Sequence, residues 1–327
     1  MQQPDWKAAQ AAAVTDPARL LDMLALGDVL LPAARAAAKQ FPLRVPHGFI
    51  ARMRRGDPGD PLLRQVLPLD AELETHAGYG HDPVGEHDAH IAPGLLQKYA
   101  GRVLLTTTGA CGVHCRYCFR RHFPYSEQNP RRDWSAVVAR IADDDSIHEV
   151  ILSGGDPFTL DTPRLREISA ALSGITHVRR LRIHTRQPVV LPERVDAELL
   201  DWLAGVSLDV AIVIHANHAN EIDASVRSAM TALKDAGATL LNQSVLLRGV
   251  NDSAIALAEL SEALFAAGVL PYYLHLLDPV AGAAHFNVPE SRAREIMNEL
   301  HARVSGYLVP KLVREVPDRA GKTLINL

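Results

Sequence analysis

From Val103 onward the sequence alternates short apolar runs with longer amphipathic segments. Runs of four to eight β-rich apolar residues predict strands, and segments with a 3.6-residue apolar period predict helices. At least six strand–helix pairs follow in series, which predicts a parallel sheet curved into a barrel. The predicted strands are VLLTTT, EVILSGG, RLRIHT, DVAIVIH, LLNQSVLL and YYLHLL, and the predicted helices are WSAVVARIAD, PRLREISAAL, AELLDWL, SVRSAMTALKDAG, IALAELSEALFAAG and SRAREIMNELHARV.

The chain divides into three predicted parts. Residues 1–100 hold helical stretches and a Pro- and Asp-rich region, which predict a helical, irregular N-terminal extension packed on the barrel. Residues 101–306 form the predicted barrel. Residues 307–327 hold a final strand, GYLVPKLVREVP, and a short tail, DRAGKTLINL, in which Gly321 permits a tight turn. In a parallel barrel the chemistry lies where the strands end, so reactive residues are expected there.

Composition argues against two classes of partner. The 327 residues carry a formal net charge of −4, which leaves no basic excess for tracking a nucleic-acid backbone. No apolar run approaches the roughly 20 residues that cross a bilayer, and the N-terminus lacks a signal-peptide pattern. We therefore expect a cytoplasmic protein that acts neither on nucleic acid nor in a membrane.

All three cysteines fall in one segment, CGVHCRYC, directly after the first predicted strand. Cys111, Cys115 and Cys118 have the spacing C-x3-C-x2-C, which argues for a metal and against a disulfide framework. Three thiolates can hold a cubane iron–sulfur cluster and leave one iron open to a small chelating ligand. The alternative is a structural zinc, for which His114 or His122 would supply the fourth ligand.

Polar motifs follow later strands. A turn with paired glycines, SGGDP, lies where the backbone can approach a ligand closely, although such turns also arise for local reasons. HANHANE and NQSVLLRGVND place His215 and Gln243 at the same mouth of the barrel. By residue type alone, these two are more often satisfied structural groups. The residues of the turn are Ser153, Gly154, Gly155 and Asp156.

The cysteine spacing, placed after the first strand of a βα series, resembles the radical S-adenosylmethionine (SAM) superfamily. The chain from Phe41 to Lys322 resembles the lysine 2,3-aminomutase family, with the matching segments DPLLRQVLP, PGLLQKYAGRVLL, SGGDP, PVVLP, NQSVLLRGVND, PYYLHLLD and SGYLVP. The resemblance implies an isomerase on an α/β fold, a partial (β/α)6 TIM-like barrel of the radical SAM type. It also implies a 4Fe-4S cluster, S-adenosyl-L-methionine and pyridoxal 5'-phosphate as cofactors.

The resemblance also implies roles for the cofactor-binding residues. The three cysteines would bind the cluster, and the SGGD turn with His215 and Gln243 would bind S-adenosylmethionine. Lys322, in AGKT, matches the catalytic lysine that carries pyridoxal phosphate, although the family has more glycines before it. By residue type alone a tail lysine is a solvated charge. The matching phosphate-binding set is Lys98, Tyr99 and Arg102.

The same resemblance implies how the substrate, L-lysine, is held. Arg120 would bind the substrate carboxylate as a two-pronged fork. Asp278 and Glu315 would bind the remote amino group, which selects lysine over an uncharged amino acid. His275 stands where the catabolic relatives have a tyrosine.

The reaction implied is conversion of L-α-lysine to (R)-β-lysine. YCFRRHFPY resembles the branch whose product modifies elongation factor P, and no cysteine remains for the C-terminal zinc site of catabolic relatives. We expect a functional link to elongation factor P and its β-lysine ligase, and a flavodoxin- or ferredoxin-type reductant. The alternatives are a general catabolic aminomutase and a radical SAM enzyme for another amino acid. An iron–sulfur electron carrier would need a fourth cysteine, and homo-oligomerisation stays open.

Overall fold

The computed structural model describes residues 5–127, 133–317 and 319–327. One sheet runs through it, and its ten strands are neighbours in the order in which they occur along the chain. The strands are β1 (His90–Ala92), β2 (Leu95–Tyr99), β3 (Arg102–Thr108), β4 (Glu149–Gly154), β5 (Arg180–Thr185), β6 (Asp209–Ile214), β7 (Thr239–Val245), β8 (Leu270–His275), β9 (Lys311–Arg314) and β10 (Thr323–Leu324).

Strands β3 to β9 pair in parallel, each with the next. The six predicted barrel strands correspond to β3 to β8, and the predicted final strand contains β9. Antiparallel pairs add β1 and β2 at one edge and β10 at the other. The sheet does not close by backbone pairing, so the predicted partial barrel is confirmed.

The helices fall into two groups, those of the N-terminal extension and those of the barrel. The six amphipathic segments predicted as helices are all helical, and they correspond to the barrel helices that begin at Trp134, Thr162, Ala197, Ala224, Ala254 and Glu290. No described helix combines the length and the apolar composition that crossing a membrane requires. The helices are α1 (Trp6–Ala11), α2 (Pro17–Met23), α3 (Leu31–Gln40), α4 (His47–Ile50), α5 (Pro61–Arg64), α6 (Trp134–Ala142), α7 (Thr162–Ser173), α8 (Gln187–Val190), α9 (Ala197–Ala204), α10 (Ala224–Asp235), α11 (Ala254–Ala266) and α12 (Glu290–His301).

Helix α10 shows why these segments fold as they do. Its apolar residues Val226, Ala229, Met230 and Leu233 are buried and recur at helical spacing, so they share one face. That face packs into the main core with the strand residues. The side chain of Asp223 accepts a hydrogen bond from the first turn and fixes where the helix begins.

The N-terminal extension has a core of its own, which also includes residues of the barrel. Helices α1 to α5 bury Phe49 and Leu62 in this core, together with Val113 from the cysteine segment and Leu191 after α8. The extension therefore packs directly against the cysteine segment. The divisions after residues 100 and 306 stay predictions, and β1 and β2, from the predicted extension, join the sheet.

Candidate active site

Most of the predicted site residues gather where the parallel strands end, whereas Lys98 and Tyr99 end the antiparallel strand β2 and Arg102 begins β3. The cysteine loop follows β3, the SGGD turn ends β4, His215 follows β6, and Asp278 follows β8. Carboxyl ends of parallel strands share one edge of the sheet, which brings these side chains to one mouth. Gln243 lies within β7 and Glu315 directly follows β9.

The three cysteines are free thiols, and each is partly exposed. Burial and the neighbouring Cys118 raise the pKa of Cys111. Burial and Cys115 raise the pKa of Cys118 to about 11. Cys111 and Cys118 are thus near enough to other cysteines to be influenced by them, and a bound metal would favour the thiolate forms of these two residues by taking up the charge.

This donor set fits an iron–sulfur cluster. In the described part of the chain, no three His, Cys, Asp or Glu side chains converge as ligands of one metal ion. In a cubane each thiolate binds a different iron, so the three sulfur atoms need not meet at one point. The two histidines of the zinc alternative are engaged elsewhere, because His114 Nδ1 lies 2.8 Å from Pro42 O and His122 Nε2 lies 3.2 Å from Ala281 O.

A buried ion cluster in the N-terminal extension holds the cysteine loop. Glu72 accepts hydrogen bonds from both Arg116 and Arg121, at 2.6 Å and 2.8 Å, and all three side chains are at most 1% exposed. The Arg116 N–H also donates to Gln65 O at 2.9 Å. Since these residues flank the thiols, the extension forms one wall of the predicted cluster site.

The paired glycines of the SGGD turn serve the packing of the chain itself. A Cβ on Gly154, whose φ is +119°, would lie 2.5 Å from Thr108 O, and one on Gly155 would lie 2.2 Å from Ala110 O. The Gly155 N–H donates to Thr108 O at 2.7 Å. The glycines therefore let β4 approach the segment that leads into Cys111. Their contact with S-adenosylmethionine stays a prediction.

Asp156 acts as an internal brace. Its buried carboxylate accepts the Thr185 hydroxyl at 2.6 Å and the backbone N–H groups of Phe158, Arg186 and Gln187 at 2.7 to 3.0 Å. Burial raises the pKa of Asp156, and these hydrogen bonds oppose the rise. The carboxylate thus joins the ends of β4 and β5.

Three histidines lie at the mouth, of which His275 is buried and His184 and His215 are half-buried. His215 Nε2 lies 2.8 Å from Gln243 Nε2, and burial with nearby arginines lowers the pKa of His215 to about 3. Burial also places the pKa of His184 and His275 well below the ordinary value. The Nε2 atoms of His184 and His275 are buried and have no hydrogen-bond partner among the described residues. Neutral imidazoles with unused polar atoms suit a cavity that receives a polar ligand.

Lys322 lies in a cluster of charged groups around Glu315. Its amine donates to Glu315 Oε2 at 2.7 Å, and Lys98 donates to Oε1 at 3.2 Å. The Tyr99 hydroxyl also donates to Oε1, and the Arg102 guanidinium stacks 4.6 Å from the centre of the Tyr99 ring. Burial would raise the pKa of Glu315, but Lys322, Tyr99 and Lys98 outweigh it and lower the pKa to about 2.

The structure therefore brings Lys322 together with the predicted phosphate set. Lys98 and Arg102 supply cations and Tyr99 supplies a hydroxyl, which is a donor set that suits a phosphate. In this structure Lys98 and Tyr99 bind the carboxylate of Glu315. The residues present fit pyridoxal phosphate by their chemistry, and their contacts with it stay predictions.

Arg120 already holds a carboxylate. Its guanidinium donates to both oxygens of Glu86, at 2.7 Å and 2.6 Å, and to Ser153 Oγ at 2.8 Å. Burial would lower the pKa of Arg120, but Glu86 outweighs it and raises the pKa. The pair shows that the fork binds a carboxylate in the two-pronged geometry predicted for the substrate.

Asp278 is influenced by both of these groups of charges. Burial raises its pKa to about 7, the charges of Glu315 and Glu86 add to the rise, and those of Lys322 and Lys98 oppose it. Glu86, next to Arg120, and Glu315, next to Lys322, are thus both near enough to affect one carboxyl.

Several functional neighbours were not predicted from sequence. Glu86 and Glu72 lie in irregular parts of the extension, where no periodicity indicates that they reach the barrel. Arg186 follows β5 directly and could have been found, because the rule that chemistry lies at strand ends applies to it as well. It donates to Cys115 Sγ at 2.7 Å.

Comparison with known proteins adds relatives for this site. A family model described as "Radical SAM superfamily" matches residues 105–260. An L-lysine 2,3-aminomutase of Escherichia coli (strain K12) is 50% identical over 325 residues, which cover 99% of this chain and 95% of that protein. One from Haemophilus influenzae is 46% identical over 99% of this chain and 96% of that protein. One from Clostridium subterminale is 38% identical over 84% of this chain and 66% of that protein.

The partial barrel, with its three cysteines after the first parallel strand, defines a radical SAM enzyme. The identity with the first two relatives extends along almost the whole chain. The protein therefore belongs to the L-lysine 2,3-aminomutase family. Membership makes it an isomerase, and implies a 4Fe-4S cluster, S-adenosylmethionine and pyridoxal phosphate as its cofactors.

Proposed function

We propose that the protein converts L-α-lysine to (R)-β-lysine and that this β-lysine is used to modify elongation factor P. The observation that carries the first part is the presence of two charge groups that both affect the carboxyl of Asp278. On one side Glu315 accepts a hydrogen bond from the Lys322 amine, whose charge also acts on Asp278, and on the other side Arg120 donates to both carboxylate oxygens of Glu86. A lysine substrate carries an ammonium at one end and a carboxylate at the other.

Groups of the protein itself occupy both of these positions. Glu315 accepts the ε-amine of Lys322, which is chemically the same group as the remote amine of the substrate. Arg120 donates to the carboxylate of Glu86 in place of a substrate carboxylate. The site thus has matched partners for both ends of lysine. A neutral amino acid would leave the carboxylates unpaired, which disfavours its binding.

The chain holds its cofactors through residues already placed at the mouth. The three cysteines would hold the cluster, and Lys322 with Lys98, Tyr99 and Arg102 would hold pyridoxal phosphate. When bound, S-adenosylmethionine and the cluster would supply radical chemistry, and pyridoxal phosphate would supply a conjugated ring that can delocalise an unpaired electron. The neutral histidines and the N-terminal extension would help to shield these groups from water.

The segment YCFRRHFPY supports the link to elongation factor P, because it resembles the branch whose product modifies that factor. The chain matches the Escherichia coli and Haemophilus influenzae proteins over 95% and 96% of their lengths and the clostridial one over 66%, so it is nearer in length to the first two. We propose a cytoplasmic location, where clustered thiols stay reduced, and a flavodoxin- or ferredoxin-type electron donor.

An anaerobic assay tests the activity. The protein with reconstituted cluster is mixed with dithionite, S-adenosylmethionine, pyridoxal phosphate and L-lysine, and chiral chromatography with mass spectrometry detects (R)-β-lysine. Cys118→Ala and Lys322→Ala should abolish the product. Lys311→Ala, which removes an exposed lysine from β9, is the matched control and should retain it. Cleavage of S-adenosylmethionine with lysine unchanged would refute lysine as the substrate.

A coupled assay tests the physiological role. The aminomutase reaction is supplied with elongation factor P and its β-lysine ligase, and the intact mass of the factor is followed. We expect the factor to gain one lysyl mass much faster with the active enzyme than with Lys322→Ala. Equal rates with both would contradict the proposed role and favour a general aminomutase.

A further inference from the structure

Arg186 reaches from the end of β5 to the sulfur of a cluster cysteine. Its Nη1 donates to Cys115 Sγ at 2.7 Å and to the Tyr117 hydroxyl at 2.6 Å. The residue is only 6% exposed. Water therefore does little to screen the guanidinium charge from that sulfur.

The other side of the guanidinium is fixed by the protein. Nη2 donates to Glu221 Oε2 at 2.9 Å and to Gln65 Oε1 at 2.7 Å. The backbone N–H of Arg186 donates to Asp156 Oδ2 at 2.7 Å. The Arg186 guanidinium is thus held at a fixed position relative to Cys115, and it stays there when the charge on the sulfur changes.

Glu221 is a buried counter-charge. It is 0% exposed and accepts the backbone N–H groups of Asn217 and His218, at 2.8 Å and 3.1 Å, in addition to Arg186. Those hydrogen bonds keep its carboxylate in place. The field at Cys115 is therefore the sum of a near positive charge and a more distant negative one.

We propose that Arg186 and Glu221 together set the reduction potential of the 4Fe-4S cluster. Reduction adds one electron, and part of that charge lies on the thiolate sulfurs. A hydrogen bond and a positive charge at Cys115 stabilise the reduced cluster and raise the potential. Glu221 opposes this effect. Arg186 is accordingly a positioning residue that acts through Cys115, and it does not contact the substrate.

The proposal predicts that variants of Arg186 and Glu221 shift the midpoint potential in opposite directions. A purely structural role of the two residues would not predict opposite shifts. Arg186→Gln removes the positive charge, so the midpoint potential should become more negative. Glu221→Gln leaves the charge of Arg186 uncompensated, so the midpoint should become more positive. Arg186→Lys keeps the positive charge but loses the two-pronged hydrogen bonding of the guanidinium. The midpoint potential of this variant should therefore lie between those of the wild type and Arg186→Gln.

The test is a redox titration of the reconstituted protein, followed by electron paramagnetic resonance of the reduced cluster. Arg186→Gln should change the equilibrium between oxidised and reduced cluster at least tenfold, which for one electron is about 59 mV. The matched control is Arg194→Gln. Arg194 is equally buried but donates to the backbone oxygens of Phe158 and Leu160, and its loss should leave the midpoint unchanged.

A midpoint for Arg186→Gln equal to that of Arg194→Gln would overturn the proposal, as would shifts of the same sign in the Arg186 and Glu221 variants. If Arg186→Gln binds no cluster, the other two variants test the proposal. The midpoint potential should then be lower than that of the wild type in Arg186→Lys and higher in Glu221→Gln. The inference rests on the cluster and not on the amino-acid substrate. A failed lysine assay therefore leaves it standing, and an unchanged potential leaves the proposed activity standing.

Discussion

Asp278 should make lysine binding dependent on pH in the physiological range. Burial raises the pKa of this carboxyl to about 7, well above the ordinary value near 4, so it keeps its proton until the pH passes 7. An ammonium group binds the ionised form only, and binding therefore releases the proton. The affinity for L-lysine should rise as the pH rises through 7 and should level off above it.

The size of the effect follows from the same pKa. With a pKa of about 7, roughly one-tenth of the carboxyl is ionised at pH 6 and roughly nine-tenths at pH 8. The affinity should then be about tenfold weaker at pH 6 than at pH 8. His184, His215 and His275 do not add to this change, because burial keeps the pKa of each below the window.

Equilibrium dialysis of labelled L-lysine measures this dependence on the protein with reconstituted cluster but without pyridoxal phosphate or reductant, so that Lys322 stays a free amine and no turnover occurs. Asp278→Asn should bind lysine more weakly and with an affinity that no longer changes from pH 6 to pH 8. Asp209→Asn, at the exposed start of β6, should keep the tenfold change. A flat wild-type profile, or the same slope in Asp278→Asn, would refute the reasoning.

Two further predictions concern the cysteine loop. Glu72→Gln leaves two buried guanidinium groups without their carboxylate, and it should lower the free energy of unfolding by about 3 to 5 kcal/mol in denaturant titrations. Glu299→Gln, in an exposed ion pair, should change the free energy of unfolding little. Equal stability of the two variants would contradict the role of Glu72 in bracing the cysteine loop. Gly155→Ala places a Cβ within 2.2 Å of Ala110 O and should reduce the iron bound after reconstitution, whereas Gly306→Ala meets no atom within 4 Å and should not. Full iron content in Gly155→Ala would contradict this prediction, because it would show that the turn accommodates the added Cβ.

The barrel could be predicted because its signals are local. Each strand is a short apolar run, and each long helix repeats buried positions three or four residues apart, as Val226 and Met230 do in α10. The rule that chemistry lies at strand ends then directed attention to the cysteine loop and the SGGD turn, whereas Asp278 was named only through the family resemblance. These features depend on neighbours within one element, which a sequence displays directly.

The contacts between the extension and the barrel could not be predicted in this way. Glu86 meets Arg120, and Glu72 meets Arg116, across more than thirty residues of intervening chain. Neither acidic residue belongs to a periodic pattern, and both look like ordinary solvated charges in the sequence. The paired glycines were expected to approach a ligand, but their closest approach is to the segment before Cys111. Such pairings depend on how the irregular chain packs, which periodicity does not show.

Side chains connect the two ends of the curved sheet. Lys98 and Tyr99, on β2, bind Glu315, after β9, and among the described strands none at one end of the sheet pairs with one at the other. A barrel closed by backbone hydrogen bonds has a fixed circumference, because widening it would break a ladder. Here the contact between β2 and the segment after β9 depends on side chains, so its spacing is set by their rotamers and not by a ladder of backbone hydrogen bonds. Substitutions of Lys98, Tyr99 or Glu315 can therefore change this spacing while every strand pair stays intact.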